Sequence, residues 1–193
     1  MDTPSQSPPA AGRPRSQATR RAILAAAERL VLARGYEAVT VAEIAAEAGA
    51  GKQTIYRWWP GKAHLVLDAL EEVGAKEVGT PDMMPPLSPA VFFRRVCVAA
   101  ARAAPALRSV MAAAQSDSAL RKLLFDRLIA HRREALDSVL RAAGIAEARR
   151  RETLILALYG ALWYRLLLDE PLDDAFADQM VELVQAQDRT RTS

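Results

Sequence analysis

Val39–Lys62 reads VTVAEIAAEAGAGKQTIYRWWPGK, and this stretch decides the fold of the N-terminal part of the chain. Thr40 followed by Glu43 is a capping-box pattern, which predicts that a helix begins directly after Thr40. Gly49 predicts the end of that helix, because glycine adopts the left-handed conformation of a helix C-cap at little cost. Lys52–Trp59 predicts a second short helix, which the following proline ends. Two short helices joined by a turn of small residues are typical of a helix-turn-helix.

The second helix of this pair has an outward face of hydrogen-bond donors, cations and aromatic rings. Ile55 and Trp59 are four residues apart and can both face inward. The other positions include no carboxylate; they are Lys52, Gln53, Thr54, Tyr56, Arg57 and Trp58. Such a face suits a polyanion whose base edges and phosphates both need contacts. The alternative is a solvated helix of a helical bundle, in which acidic and basic side chains would normally alternate.

The segment from Arg20 to Leu70 resembles the DNA-binding domain of the TetR family of bacterial transcription regulators. The resemblance rests on three stretches, ARGYEAVTV, EIAAEAG and TIYRWWPGKAHLV. The residues in register with the family pattern are Gly35, Tyr36, Thr40, Ile44, Ala45, Ala48, Gly49, Thr54, Ile55, Tyr56, Trp59 and Lys62. The chain departs from the pattern at Ala50-Gly51, where Val-Ser is usual, and at Ala42, which offers no group to read a base. The first departure removes a cap hydroxyl from the recognition helix.

The resemblance implies a ligand-responsive repressor that binds an inverted-repeat operator in double-stranded DNA as a homodimer and is released by a small molecule. The residues that it assigns to base edges are Lys52, Gln53, Thr54 and Arg57. The residues that it assigns to phosphates are Thr40, Tyr56, Trp58 and Lys62. A basic N-terminal part fits this assignment, because residues 1–62 carry a net charge of +4 whereas the whole chain carries +3.

Composition limits the class of protein further. About half of the 193 residues are apolar, which is enough for a sizeable core. Cys97 is the single cysteine, so an internal disulfide is excluded and a reducing compartment is the simpler expectation. No apolar run reaches the length of a membrane span, and the N-terminus lacks the apolar region of a signal peptide. We therefore expect a soluble, cytoplasmic protein without a membrane partner.

The chain divides into three predicted segments. Residues 1–15, rich in Pro, Ser, Gln and Ala, predict a disordered arm. Its Arg13 and Arg15 either touch DNA backbone or minor groove, or belong to a solvated tail. Residues 16–79 form the predicted DNA-binding domain, and residues 80–193 the predicted regulatory and dimerisation domain.

Helix signals fill both domains, so the predicted fold is all-α. The DNA-binding domain begins with a helix from Ser16 to Arg34 and ends with a connecting helix over residues 62–78. In the regulatory domain the predicted helices run from Ser88 or Pro89 to Ala103, Pro105 to Ser116, Ser116 or Asp117 to Gly144, Glu147 to Asp169 and Asp173 to Gln187. Short antiparallel connections of this kind are typical of helical bundles.

The helix over residues 154–168 is apolar nearly all round, which predicts burial beyond its own domain. Together with the last helix it predicts a four-helix subunit interface, whose residues are Leu158, Leu162, Leu166, Phe176, Met180 and Val184. This half also resembles a TetR-family regulatory domain, chiefly through YGALWYRLLLDEPLDDAFADQMVELV.

Aromatic side chains and methionines from several helices predict a pocket for a small apolar or aromatic effector. The candidate pocket residues are Phe92, Phe93, Val96, Arg102, Met111, Phe125, Tyr159 and Trp163. The alternative is that these side chains simply fill a core. Arg102 and Arg165 lie in apolar stretches, where they either have a structural role, pairing with an acid or extending the charged group to solvent, or anchor an acidic ligand.

Catalytic and metal-binding patterns are missing from the sequence. His64 and His131 lie far apart and have no ligand-like spacing with Cys97 or with a carboxylate pair. We therefore predict no metal, no cofactor and no enzymatic activity. The alternative function is a helical small-molecule-binding protein or enzyme that retains the N-terminal domain without specific DNA binding.

Overall fold

A computed structural model describes residues 13–79 and 87–189, and every regular element in these two ranges is a helix. The N-terminal domain contains α1 (Arg13–Arg34), α2 (Val41–Glu47), α3 (Lys52–Trp58) and α4 (Lys62–Val78). The prediction of an all-α fold with an N-terminal helix-turn-helix is confirmed.

The C-terminal domain continues the helical architecture. Its first helices are α5 (Pro89–Arg102), α6 (Ala104–Ser116) and α7 (Ser118–Leu124). A π-helical turn (Phe125–Ile129) joins α7 directly to α8 (Ala130–Ala142), and α9 (Ala148–Leu167) and α10 (Asp174–Arg189) complete the domain. Residues 80–86, where we predicted the domain boundary, lie outside the described residues.

Helix α1 begins earlier than the sequence predicted. It starts at Arg13, so the predicted N-cap at Ser16 is wrong and the last three residues of the predicted arm are helical. The rest of that arm lies outside the described residues. The C-terminal end agrees with the prediction, because α1 ends at Arg34 and Gly35 has a φ of 80°.

The long helix predicted from Asp117 to Gly144 is interrupted by the π-helical turn. Asp117 caps its start and Gly144, with a φ of 91°, ends it as predicted. A residue inserted into a helix rotates the later turns by about 100° relative to the earlier ones. Before and within the π-helical turn, Leu120, Leu124 and Leu128 pack on the core of the N-terminal domain. After it, the buried leucines of α8 pack on a different core.

Two hydrophobic cores hold the molecule together. The first is formed by α1–α4 together with buried residues of α6 and α7, so the N-terminal domain is docked on the C-terminal domain through its own core. The second is formed chiefly by α5, α8, α9 and α10. Apolar burial of this kind is the main stabilising contribution to folding.

Over residues 13–79 and 87–189, no single helix is long and apolar enough to cross a membrane. Helices α5 and α6 reach the required length and hydropathy only as a pair, and that pair is bent by 79°. Within the same two ranges, no three His, Cys, Asp or Glu side chains cluster in a way that could hold a metal ion.

Candidate DNA interface and ligand cavity

The start of α2 is fixed by the predicted capping box. The backbone N–H of Thr40 donates to Glu43 Oε2 at 2.9 Å, and the N–H of Glu43 donates to Thr40 Oγ1 at 3.2 Å. Hydrogen bonds to the Glu43 carboxylate from the Thr40 hydroxyl, at 2.8 Å, from the Thr40 N–H and from Arg34 lower the pKa of this carboxyl to about 2. The cap therefore retains its charged acceptor over the physiological pH range.

The turn between α2 and α3 is closed by backbone groups. Gly49 has a φ of 61°, and the N–H of Ala50 donates to the carbonyl of Ala45 at 2.8 Å, as in a Schellman motif. Gly51 is the N-cap of α3 and makes no side-chain hydrogen bond to it. Helix α3 is instead held by Ile55 and Trp59, which are fully buried in the core of the N-terminal domain.

The opposite face of α3 is open to solvent. Lys52, Gln53 and Arg57 are exposed, Tyr56 is 54% exposed and Thr54 is partly exposed. Since Lys52–Trp58 contains no carboxylate, this face presents cations, amide donors and hydroxyls only. Such groups can contact base edges and phosphates in a major groove.

Three of the four residues assigned to phosphates make contacts within the protein. Trp58 is partly buried, its ring lies 6.1 Å from that of Trp59, and its indole N–H is buried without a hydrogen-bond acceptor among the described residues. Lys62 Nζ donates to the carbonyl of Tyr36 at 2.9 Å and lies 4.1 Å from the centroid of the Tyr36 ring. Thr40, the third such residue, is exposed but uses its hydroxyl in the capping box.

Asp68 joins the two domains, and sequence reasoning did not single it out. Its Oδ2 accepts hydrogen bonds from Trp59 Nε1 at 2.8 Å and from Arg20 Nη2 at 3.4 Å. Its Oδ1 accepts one from Arg127 Nη2, in the π-helical turn, at 2.5 Å. The signal in the sequence was an acid within the apolar run LVLDAL of α4. A carboxylate at such a position requires partners when the helix is packed on both sides.

A second contact joins the domains at the end of α1. The N–H of Tyr36 donates to Ser109 Oγ at 2.9 Å, and Ser109 Oγ donates to the carbonyl of Ala106 in α6 at 2.8 Å. The α1–α2 loop and α4 are thus both connected to helices of the C-terminal domain.

A cavity of about 390 Å³ lies between α4 and helices of the C-terminal domain. Its walls are formed by α4, α5, α6, the π-helical turn, α8 and α9. The predicted pocket residues that line it are Val96, Met111, Phe125, Tyr159 and Trp163. The volume lies in the lower part of the range of about 300–1,000 Å³ that is usual for ligand pockets.

Phe92, Phe93 and Arg102 are not among the residues that line this cavity. Phe93 is fully buried and its ring lies 6.2 Å from that of Phe176, so it fills the second core. Phe92 is buried in the same core. Arg102 is exposed and pairs with Glu77. Arg165 also has a structural position, since it pairs with Glu170 at 3.0 Å and covers the ring of Phe176.

The cavity wall is apolar except for a few groups. Tyr159 donates its hydroxyl to the carbonyl of Arg132 at 3.0 Å, and burial raises the pKa of this phenol. Arg132 and Arg133 also line the cavity, whereas no carboxylate does so among the described residues. Phe125 and Leu156 belong to the wall and are more than half exposed, so the cavity reaches the surface.

The residues predicted for the subunit interface lie mainly inside the chain. Leu158, Leu162, Leu166, Phe176 and Val184 are buried by the chain's own helices, and Met180 is partly buried. Exposed apolar residues lie beside them on α9 and α10. We call this set the α9–α10 face; its residues are Leu156, Ala157, Gly160, Tyr164, Leu167, Leu168 and Leu183.

Comparison with known proteins agrees with this arrangement. Residues 23–69 match the model of bacterial regulatory proteins of the tetR family, and residues 91–184 match that of the tetracyclin repressor-like C-terminal domain. The uncharacterized HTH-type transcriptional regulator YdeS of Bacillus subtilis (strain 168) is 31% identical over 180 residues, covering 88% of this chain and 89% of YdeS. Rv1556 of Mycobacterium tuberculosis (strain ATCC 25618 / H37Rv), another uncharacterized HTH-type regulator, is 32% identical over 143 residues, covering 73% and 68% of the two chains.

A solved structure has the same fold. The TetR family transcription regulator SCO0332 superimposes with a TM-score of 0.67 at 28% identity, over 86% of this chain and 97% of SCO0332. Members of the family bind DNA, dimerise and carry a ligand-binding C-terminal domain. The chain therefore belongs to the TetR family, whose members are helix-turn-helix transcriptional regulators and not enzymes.

Proposed function

We propose that this protein is a homodimeric repressor that binds an inverted-repeat operator and is released from it by a small molecule. The observation that carries the proposal is the exposed face of α3, whose cations and donors have no carboxylate among them. A regulator of this kind works on chromosomal DNA, so the proposal includes a cytoplasmic location.

On operator DNA, α3 enters the major groove. Lys52, Gln53, Thr54 and Arg57 contact base edges, and Tyr56 contacts a phosphate at the rim. Thr40 and Lys62 stand at the starts of α2 and α4, where free backbone N–H groups also attract phosphate. Trp58 has a supporting position in our proposal, because its indole N–H is buried.

Selection of bound fragments from random duplex DNA tests this proposal and returns the operator. We expect an inverted repeat. Arg57→Ala should then cost about 1–3 kcal/mol on the selected operator and relax the preference at one base pair. Arg149→Ala is the matched control, because Arg149 is an exposed arginine of the C-terminal domain. Equal losses of Arg57→Ala on operator and on random DNA would remove Arg57 from the base-reading set.

The α9–α10 face supports the dimer. It consists of exposed apolar residues along α9, at its end and on α10, and clusters of exposed apolar residues are typical of protein interfaces. A second copy would cover it about a twofold axis, each face meeting its own equivalent. Leu156 and Gly160 belong both to this face and to the cavity wall, so the partner subunit would lie at the mouth of the cavity.

Release from DNA by a ligand requires a structural connection between the cavity and the recognition helix α3. Two contacts between the domains are candidates for this connection. Arg127 lies in the π-helical turn that forms part of the cavity wall, and it bonds Asp68, which also bonds Trp59 at the end of α3. Ser109 lies in α6 beside the cavity-lining residues Leu107 and Met111, and it bonds Tyr36. A ligand that moves the π-helical turn or α6 would therefore change the position of the N-terminal domain.

The energetic requirement is a difference in affinity between two states. Moving an equilibrium from 1:99 to 99:1 needs about 5.5 kcal/mol of tighter binding to the released conformation. A screen of apolar and aromatic compounds should therefore yield molecules that raise the melting temperature and lower operator affinity.

Both effects should be lost in Trp163→Ala, which removes a large part of the cavity wall while α9 keeps its exposed face. Sedimentation of the same variant is the control, since it should remain a dimer. Compounds that stabilise the protein through this cavity and leave operator affinity unchanged would contradict release by a ligand.

A further inference from the structure

The polar groups of the cavity point to a chemical class of ligand. We infer that the cavity binds an organic anion, an apolar body that carries one carboxylate, and that the guanidinium of Arg132 holds this carboxylate. The inference rests on the proposed function, in which the cavity is the effector site, and it adds the chemistry of the effector.

Arg132 is a partly buried cation without a direct partner. Within residues 13–79 and 87–189, its guanidinium makes no hydrogen bond and no ion pair; only its backbone carbonyl is used, by Tyr159. The nearby Glu71 interacts with it electrostatically but is not bonded to it. Removing a charge from water without a partner is costly, so a ligand that supplies an anion there gains a charge-assisted hydrogen bond.

Arg133 is the second cation of the wall and is a weaker candidate. Its guanidinium lies 3.8 Å from Glu152 Oε1, so part of its charge is already compensated within the protein. Neither cation has a compensating carboxylate in the described cavity wall. The wall therefore carries a positive charge, which weakens the binding of a cationic ligand and does not strengthen the binding of a neutral one.

Gly74 makes room for the Arg132 side chain. A Cβ at this position of α4 would lie 1.6 Å from Nη2 of Arg132, so any other residue would displace the guanidinium. Glycine within a helix costs about 1 kcal/mol relative to alanine. Gly74→Ala is thus a variant that should strengthen α4 itself while it moves the cation out of position.

Calorimetric titration of the full-length protein with matched probes tests the inference. The probes form two series, each with one apolar body and different head groups. The aliphatic series is decanoate, decanol and decylamine, and the aromatic series is 2-naphthoate and 2-naphthalenemethanol. For at least one body we expect the carboxylate to bind about tenfold or more tightly than the alcohol, which corresponds to one hydrogen bond to a charged group. Decylamine should bind most weakly of its series.

The variants identify the residue responsible. Arg132→Gln and Gly74→Ala should each remove the preference for the carboxylate over the alcohol, while the alcohol continues to bind. Arg149→Gln, at an exposed arginine outside the cavity, should retain the preference. Melting curves show that each variant is folded, and because the two cavity variants act on different residues, the test survives the failure of one of them to fold.

Several results would overturn the inference. These are equal binding of carboxylate and alcohol in both series, tighter binding of the amine, survival of the preference in Arg132→Gln, or no binding of either carboxylate. Operator affinity measured in the same samples separates this inference from the proposed function. A carboxylate that binds through Arg132 without changing operator affinity supports the anion site and contradicts release by a ligand.

Discussion

At the scale of single residues, the polar contact between the two domains depends on Asp68. This carboxylate is 13% exposed and bonds Arg127 at 2.5 Å and Arg20 at 3.4 Å. A double-mutant cycle of Asp68→Asn with Arg127→Gln should give a coupling of about 1–2 kcal/mol, because the pair is close and partly desolvated. The cycle with Arg20→Gln is the matched comparison and should stay below about 1 kcal/mol. Urea unfolding measures both; equal couplings would refute the assignment of Arg127 as the main partner.

Arg151 offers a second test at this scale, because it is the one charged residue that is buried in the described part of the chain. Its Nε donates to Asp137 Oδ1 at 2.6 Å, and its Nη1 donates to the carbonyls of Ile145 and Ala146 at 3.0 and 2.6 Å. The hydrogen bond from Arg151 is the main cause of the lowered pKa of Asp137. Arg151→Met should cost about 2–3 kcal/mol, because it leaves these acceptors without their donor.

Arg141 provides the control for that substitution. It pairs with the same Asp137 at 2.5 Å but is 64% exposed, so Arg141→Met should cost less than about 0.5 kcal/mol. Chemical denaturation of the two variants side by side gives the comparison. Similar losses for both would mean that burial of Arg151 adds nothing to the pairing.

At the scale of helices, α3 lacks the side-chain cap that α2 has. Gly51 has extended backbone angles, φ −80° and ψ 147°, and an added Cβ would meet only Thr54 Oγ1, at 3.9 Å. Gly51→Ser should therefore stabilise α3 by about 0.3 kcal/mol, and Gly51→Ala should destabilise it by about 0.5–1 kcal/mol. Hydrogen exchange of the first-turn amides of α3 should change in opposite directions in the two variants. Changes of exchange rate in the same direction in both variants would show that the serine hydroxyl does not cause the stabilisation.

The helices also show how far prediction from the sequence reaches. Caps and glycines are local signals, so α2, α4 and the ends at Gly35, Gly49 and Gly144 were predicted within a residue or so. The π-helical turn has no such signal and was missed. It was harder to predict which side of each helix is buried, since this depends on packing against helices that are distant in the sequence. The inner stripe of α9, with Leu158 and Leu162, is covered by helices of the same chain, and the exposed residues beside it were not selected.

The candidate ligand site was also predicted only in part. Met111, Phe125 and Trp163 were assigned to a pocket by residue type and line the cavity, whereas Phe93, chosen by the same rule, fills a core. Residue type alone does not distinguish a cavity wall from a filled core, because apolar side chains form both. Arg132 was overlooked since it lies between His131 and Arg133, in a run that reads as a solvated face.

At the scale of the whole molecule, the two domains share a core, so under the proposed function we expect a movement of the cavity wall to shift the N-terminal domain as a rigid unit. Two such domains must then stand at the spacing of an operator. Recognition helices in successive major grooves are about 34–36 Å apart, which only a fixed dimer can maintain. The α9–α10 face is the surface that we propose for this contact.

Introducing a negative charge on the α9–α10 face tests the proposed dimer. Tyr164→Asp and Leu167→Asp lie on exposed positions of α9, 63% and 52% exposed, so they should yield folded monomers. Val98→Asp is the control, because Val98 is an exposed apolar residue of α5 and lies outside that face. This variant should remain a dimer. The monomers should lose about 100-fold or more in affinity for the inverted repeat, because both half-sites can no longer be bound together. Sedimentation and operator titration give the two readouts, and a wild-type monomer at micromolar concentration would exclude the proposed dimer.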